Sequence, residues 1–212
     1  MSSPWLAIPL ADYERHMALA EVAQAQLLAD VFAELLDTYR PQSVAVLGCA
    51  GGNGFERISA AVTKRVVGVD LNPAYIEALR ARFHEQLPGL ELIAGDIQSD
   101  VTTFAPVELV YAGLILEYVD VALVLGRVRS LLVPPGILGT VIQLPGAHAN
   151  LVTPSSFASL QSLESCMRLV SPTDLTDMAA AAGYKQIGGR RLESGGRKQF
   201  QLQVFQRDQL QQ

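Results

Sequence analysis

The chain has 212 residues, half of them hydrophobic, and a formal net charge of −5 at neutral pH. That length and apolar content suit one sizeable core, and the acidic balance argues against the basic stripe with which nucleic-acid binders neutralise phosphates. Two cysteines give neither a disulfide framework nor metal-ligand spacing, and no segment approaches the roughly 20 apolar residues of a membrane span.

The start of the chain lacks the basic and apolar stretches of an export signal, so a cytoplasmic protein is expected. From Asp12 to Tyr39 the sequence is rich in Ala, Leu, Glu and Gln and free of Gly and Pro, which favours one helix. Leu19, Val22, Ala23, Leu27, Val31 and Leu35 recur at helical spacing. Pro41 ends it. Val44-Ala45-Val46-Leu47 is apolar without alternation, the pattern of a parallel strand covered on both faces. It runs into the cluster Gly48-Cys49-Ala50-Gly51-Gly52-Asn53-Gly54.

A helix is expected near 54–62, a strand at 66–70, a helix at 73–86, strands at 90–94 and 107–111, a helix near 119–132 and a strand at 137–143. Such alternation means right-handed crossovers and a parallel sheet. Residues 145–171 read as an irregular connection leaving the fifth strand at its carboxyl edge, and connections of that length commonly carry function. Pro172 to Ala182 reads as the last helix. Tyr184 to Glu193 and Gln199 to Gln206, joined by Gly195-Gly196, read as a closing hairpin, with Arg190, Arg191, Arg197 and Lys198 as solvated charges on it. The fold class is therefore α/β: a Rossmann-like three-layer sandwich with a seven-stranded, mainly parallel sheet, a C-terminal antiparallel hairpin and an N-terminal helical extension. No repeat or linker interrupts it, so 1–212 reads as one domain. Its parts are a helical cap (1–40), a cofactor-binding core (41–144), a substrate-side insertion (145–171) and a C-terminal helix and hairpin (172–212).

The glycine cluster lets the backbone turn sharply and approach a ligand where a Cβ would clash, and a helix opening at Gly54 would present free N–H groups to it. About 20 residues on, Asp70 ends the next strand, where a carboxylate can accept both hydroxyls of a ribose. An adenosine pocket follows. The alternative, Asp70 as a helix cap before Pro73, is weaker because Asn72 is better placed for that work. A dinucleotide fingerprint needs glycine at the first, third and sixth positions; counted from Gly48 these are Gly48, Ala50 and Asn53. A triphosphate loop needs Gly-Lys-Ser/Thr, and no lysine lies between Gly48 and Lys64.

On these residues the chain resembles the class I S-adenosylmethionine-dependent methyltransferases, whose first motif reads Asp-Leu-Gly-Cys-Gly-x-Gly. Gly48 and Gly52 match its outer glycines, with Leu47 and Cys49 as companions. Ala50 replaces the middle glycine, which extended backbone would tolerate, and Val46 replaces the acid that helps hold the cofactor's ammonium group. The resemblance implies that Asp70 holds the ribose, that Leu71 and Ile97 pack on the adenine, and that Asp96 reaches its exocyclic amine. Asp96 as a cap for a short helix through Gln98 to Thr103 is the plainer alternative. Tyr111 and Ala112, in the run Val107 to Gly113, would face the methyl donor, and Leu131 to Ile142 resembles the helix end and fifth strand. The implied cofactor is S-adenosyl-L-methionine, with S-adenosyl-L-homocysteine as product and no metal.

Methyl transfer from a sulfonium asks the protein to align the acceptor, exclude water and, for a protonated acceptor, remove a proton. Candidate catalytic residues are His148 in the 145–171 connection and His16 and Tyr13, one turn apart on the N-terminal helix. Glu117 either faces the acceptor or caps a helix, and His84 among charged neighbours reads as solvated. Cys49 lacks a histidine base and is a poor nucleophile. No Asn/Asp-Pro-Pro-Tyr motif and no Pro-Cys pair is present, leaving a small molecule as the expected acceptor, methylated on oxygen or nitrogen by a monomer or homodimer. A non-catalytic cofactor-binding relative is the alternative. An NAD(P)-dependent oxidoreductase is less favoured by the glycine spacing and the lack of a Tyr-x-x-x-Lys pair.

Overall fold

The computed structural model describes residues 3–146, 150–195 and 198–208. Its strands are β1 (Ser43–Leu47), β2 (Arg65–Asp70), β3 (Leu90–Ala94), β4 (Val107–Gly113), β5 (Leu132–Gln143), β6 (Tyr184–Glu193) and β7 (Gln199–Arg207). They form one seven-stranded sheet in the order β3-β2-β1-β4-β5-β7-β6. The first five are mutually parallel, and β7 runs antiparallel to both β5 and β6. This is the expected Rossmann-like sandwich with its C-terminal hairpin.

The helices are α1 (Leu10–Ala18), α2 (Gln24–Tyr39), α3 (Pro73–Phe83), α4 (Val121–Ser130) and α5 (Pro172–Ala181). Side chains of β1 alternate between two cores: Val44 and Val46 join Phe32 and Leu35 of α2, whereas Ala45 and Leu47 join Val124 and Leu125 of α4 and Leu175 of α5. A central strand with helices on both faces must be apolar at every position, which is why its sequence does not alternate. Asn72 caps α3 by accepting from Ala74 N, with Pro73 in the first turn.

Two helical expectations are corrected. The segment from Asp12 to Tyr39 is not one helix; it breaks between α1 and α2, where Ala23 takes φ 48° and Val22 is buried. Nothing in the propensities marks the break, which instead seats Val22 in the core and lets α1 turn toward the sheet edge. The helix expected near 54–62 is only a 3-10 turn at Phe55–Arg57. Gly52 and Gly54 have φ of 92° and 86°, so the backbone enters this turn left-handed and Ile58 is already extended. No long helix therefore points its N-terminus at the glycine loop.

A third small core lies at the carboxyl edge of the sheet. Ile8, Val152, Leu160, Leu163 and Met167 are buried together, with Trp5, Tyr13 and Tyr118 packed against them. It joins the N-terminal segment to residues 150–169. Hydrogen bonds from Ser159 Oγ to Asp12 Oδ2 (3.0 Å) and between His16 Nδ1 and Ser155 Oγ (2.9 Å) bridge the same two segments.

Candidate active site

The loop after β1 alternates in handedness: Gly48, Ala50, Gly52 and Gly54 all have positive φ. Ala50, at φ 45°, is not in the extended backbone expected of it, and an alanine there costs about 1–2 kcal/mol. What holds it is Asp70. The carboxylate at the end of β2 accepts from Ala50 N (2.8 Å) through Oδ2 and from Asn72 N (2.9 Å) through Oδ1. Each oxygen retains a further lone pair. Burial pushes the Asp70 carboxyl upward from the usual carboxylate range, and the two amides oppose that rise. Gly48 approaches the segment after β4 so closely that a Cβ would stand 3.1 Å from the Ile115 side chain.

These elements enclose a cavity of about 230 Å³ lined by Gly48, Ala50, Asp70, Leu71, Asp96 and Ile97 from the strand ends. Asp96 Oδ1 accepts from Gln98 N (2.9 Å), a local turn that fixes the loop after β3; no helix follows it. The roof comes from elsewhere in the chain. Trp5 stands edge-on to Tyr13 (5.8 Å) and to Tyr118 (5.1 Å), and Tyr13 stacks at 6.2 Å on Tyr75. The N-terminal segment is tied down on α3 by Asn72 Nδ2 to Trp5 O (3.0 Å) and Tyr75 OH to Ile8 O (2.9 Å). Arg82 of α3 pairs with Glu14 of α1 over the glycine loop and donates to Gly51 O.

A second, smaller cavity of about 50 Å³ adjoins the first and shares Trp5, Tyr13, Leu114 and Tyr118 with it. Its far side holds His16, Gln24, Gln143, Thr153 and Lys198. Lys198 donates to Gln143 Oε1 (3.2 Å) and to Leu151 O. Burial lowers its pKa to about 8, and burial with the nearby ammonium lowers that of His16. Behind this wall Glu117 is fully enclosed. Its Oε1 accepts from Gln143 N (2.6 Å), its Oε2 has no partner among the described residues, and burial raises its pKa to about 7.

The structure gathers Gly48, Ala50, Asp70, Leu71, Asp96, Ile97 and Tyr13 around one cavity. Other expected residues lie elsewhere. Cys49 is buried beneath the loop, its thiol pushed up by burial and by Asp70 and its Sγ packed beside Gly68 of β2. Gly52 is needed for packing, since a Cβ there would lie 2.8 Å from the Phe83 ring. Tyr111 points into the core, stacked on Phe32 at 5.0 Å and donating to Leu28 O (3.1 Å), and Ala112 is buried in the opposite core. The β4 contribution to the cavity is instead Gly113, followed by Leu114 and Ile115, because the strand runs further than 111 before it opens. His16 lines only the second cavity, and His148 lies outside the described residues. Lys198 is not a solvated hairpin charge but part of the inner wall. Trp5, Tyr75 and Tyr118 went unflagged; for Trp5 and Tyr118 the available signal was an aromatic in a segment without clear periodicity, whereas Tyr75 inside α3 carried none.

Residues 44–136 match the sequence profile of a methyltransferase domain. That stretch is therefore similar to a methyltransferase domain, in keeping with the resemblance to the class I S-adenosylmethionine-dependent methyltransferases. The chain is 33% identical over 168 residues to a trans-aconitate 2-methyltransferase of Methylobacterium radiotolerans, the match covering 78% of this chain and 55% of that protein. It thus spans little more than half the length of that curated relative. Among solved structures, the N-methyltransferase NodS of Bradyrhizobium japonicum in complex with S-adenosyl-L-homocysteine superposes with a TM-score of 0.68 at 15% identity, over 94% of this chain and 98% of that one. A geranyl diphosphate C-methyltransferase of Streptomyces coelicolor gives 0.64 at 16% identity, over 84% and 80%. At these identities the superpositions speak for the fold alone. Among the described residues no helix is long and apolar enough to cross a membrane, and no cluster of His, Cys, Asp and Glu could hold a metal ion.

Proposed function

We propose that the chain is a cytoplasmic methyltransferase that binds S-adenosylmethionine in the larger cavity and methylates a small molecule held in the smaller one. The observation that carries this is the pair of adjoining cavities sharing Trp5, Tyr13, Leu114 and Tyr118, one of them ringed by the glycine loop, Asp70 and Asp96. The residues fit the group. Asp70 has lone pairs left for ribose hydroxyls, Asp96 has them for the adenine amine, and Leu71 and Ile97 line the wall between. When bound, S-adenosylmethionine supplies a methyl group already activated by its sulfonium. The chain's own work is then alignment and the exclusion of water by the N-terminal segment and residues 150–169. The similarity to a trans-aconitate methyltransferase supports a small-molecule acceptor.

Calorimetry should show S-adenosyl-L-homocysteine binding more tightly than NAD, and incubation with S-adenosylmethionine over a metabolite panel should release S-adenosyl-L-homocysteine. Tighter binding of NAD would overturn the reading. Val46, standing where the family's first motif carries an acid, favours a second reading as a non-catalytic cofactor binder. Homocysteine-nucleoside binding without turnover on any class of acceptor would select it.

A further inference from the structure

We infer that Glu117 is a positioning residue: it pins both stems of the insertion between β5 and α5, fixes the wall of the smaller cavity through them, and loosens them when its carboxyl ionises. Calling that cavity an acceptor site rests on the methyltransferase reading; the pin itself does not.

Glu117 lies on the 3-10 turn Leu116–Tyr118 that follows β4. The insertion leaves the sheet at Gln143, the last residue of β5, and returns at Arg168, shortly before α5. Glu117 is bonded at both points. Its Oε1 accepts from Gln143 N (2.6 Å), and its backbone carbonyl accepts from Arg168 N (2.7 Å). Between the two stems stand Leu151, Val152, Thr153, Leu160, Leu163 and Met167, which the insertion contributes to the smaller cavity. The Gln143 side chain carries the grip inward: its Nε2 donates to Leu151 O (3.2 Å), and its Oε1 accepts from Lys198 Nζ, which donates to the same carbonyl. Tyr118, the next residue of the turn, stands edge-on to Trp5 in the wall common to both cavities. One residue thus ties the exit, the return and the shared wall.

A strut alone would be served as well by an amide. Glu117 is instead a carboxyl, 1% exposed, whose Oε2 has no partner among the described residues. The groups facing it are the Gln143 amide of β5, the Arg168 amide of the insertion and the Tyr118 phenol of its own turn. The Arg168 guanidinium turns away, to the Ser165 and Met167 carbonyls, and the Lys198 ammonium is taken up on the side-chain end of Gln143. Among the described residues no cation pairs with Glu117. A buried carboxylate without a countercharge is strongly disfavoured, and burial accordingly raises this group to about 7. Parting the stems lets water reach Oε2 and returns the carboxyl toward its ordinary 4.5. The closed insertion therefore keeps a proton that the open one sheds. Closure is firmest below about pH 4.5, weakens as pH rises to 7, and is level above that.

The test is hydrogen exchange of the full chain between pH 5 and 8, each rate corrected for intrinsic amide chemistry. Residues 150–169 should exchange through an opening of their own, more readily than β1, and that opening should grow about tenfold or more from pH 5 to 7. Glu117→Gln keeps an oxygen for Gln143 N and cannot ionise. It should abolish the pH dependence and protect residues 150–169 at pH 7 at least as well as wild type. Glu117→Ala should expose residues 150–169 about tenfold or more beyond any change in β1. A pH-independent opening in the wild type, a pH dependence that survives in Glu117→Gln, or a loss in Glu117→Ala shared equally by β1 would each overturn the proposal. Should Glu117→Ala fold poorly, the first two outcomes decide it. Calorimetry keeps the two readings apart: a wild-type chain that binds no S-adenosyl-L-homocysteine sinks the methyltransferase reading and leaves the exchange result standing.

Discussion

Replacing Asp70 by alanine tests two functions at once. In the structure the carboxylate is an internal strut: it satisfies Ala50 N at 2.8 Å and Asn72 N at 2.9 Å, and so fixes both the left-handed Ala50 and the entry to α3. Leaving two buried backbone donors unpaired costs about 1–3 kcal/mol each. For a chain of this size, where 1 kcal/mol moves the midpoint by about 2–4 °C, a Tm fall of roughly 5–20 °C is expected. Cofactor binding should fall further, because charge-assisted bonds to two ribose hydroxyls are worth about 1.5–3 kcal/mol each, a loss of about a hundredfold or more in affinity. Asp70→Asn keeps one oxygen acceptor, and its Tm should lie between those of wild type and Asp70→Ala. Scanning fluorimetry gives the first quantity and calorimetry with S-adenosyl-L-homocysteine, well below the lowered midpoint, gives the second. Wild-type affinity in Asp70→Ala would refute the ribose assignment. An unchanged Tm would refute the strut.

Four further outcomes are expected. Glu117 titrates in the folded protein near pH 7 against an ordinary 4.5, so the folded state keeps a proton that the unfolded state sheds; stability should fall as pH rises from about 4.5 to 7, by at most about 3 kcal/mol. Glu117→Gln should flatten that slope in urea unfolding, and a slope that persisted would assign it to another group. Lys198 titrates near pH 8 in the folded protein against an ordinary 10.5, so the folded state sheds a proton that the unfolded state keeps; stability should rise as pH passes from about 8 to 10.5, and Lys198→Met should remove that rise. Ala50→Gly exchanges a left-handed alanine costing about 1–2 kcal/mol for glycine's extra chain entropy of about 0.5–1 kcal/mol, so stability should hold or rise by up to about 1.5 kcal/mol; a clear loss would mean the φ of 45° is not strained. Hydrogen exchange in residues 3–18 and 150–169 should slow together when S-adenosyl-L-homocysteine binds, because the two share one small core, and protection confined to the glycine loop would make them peripheral packing.

The sheet was legible because burial leaves a linear trace. Val44 to Leu47 and Val66 to Val69 are apolar at every position, as strands between two helical layers must be, and Asp70 breaks the run where the sheet ends. The break between α1 and α2 left no such trace. Leu19 to Ala23 contains neither Gly nor Pro, and the left-handed Ala23 follows from seating Val22 in the core rather than from local preference. Ala50 was misjudged for a related reason: its identity suggests ordinary backbone, yet the turn to Asp70 imposes the conformation of the glycines on either side. In β4 the family resemblance placed Tyr111 near the methyl donor, and the structure does not. The strand simply carries its ring inward, to Phe32 and the Leu28 carbonyl.

Lys198 shows most clearly what a sequence withholds and a topology supplies. Beside Arg190, Arg191 and Arg197 it reads as one more charge on a solvated hairpin. In a parallel sheet, however, every strand delivers its carboxyl end to the ligand edge, and the loops after β2 and β3 accordingly contribute Asp70 and Asp96. β7 is the exception. It pairs antiparallel with β5 in a register that sets Phe200 opposite Gln143, so its beginning, not its end, arrives at that edge. The residue just before the strand is thus carried to the cavity wall, where Gln143 and the Leu151 carbonyl receive its ammonium. Acidic residues reach the site from parallel strands and the cation from the antiparallel one, so the two cavities differ in charge although they share a wall.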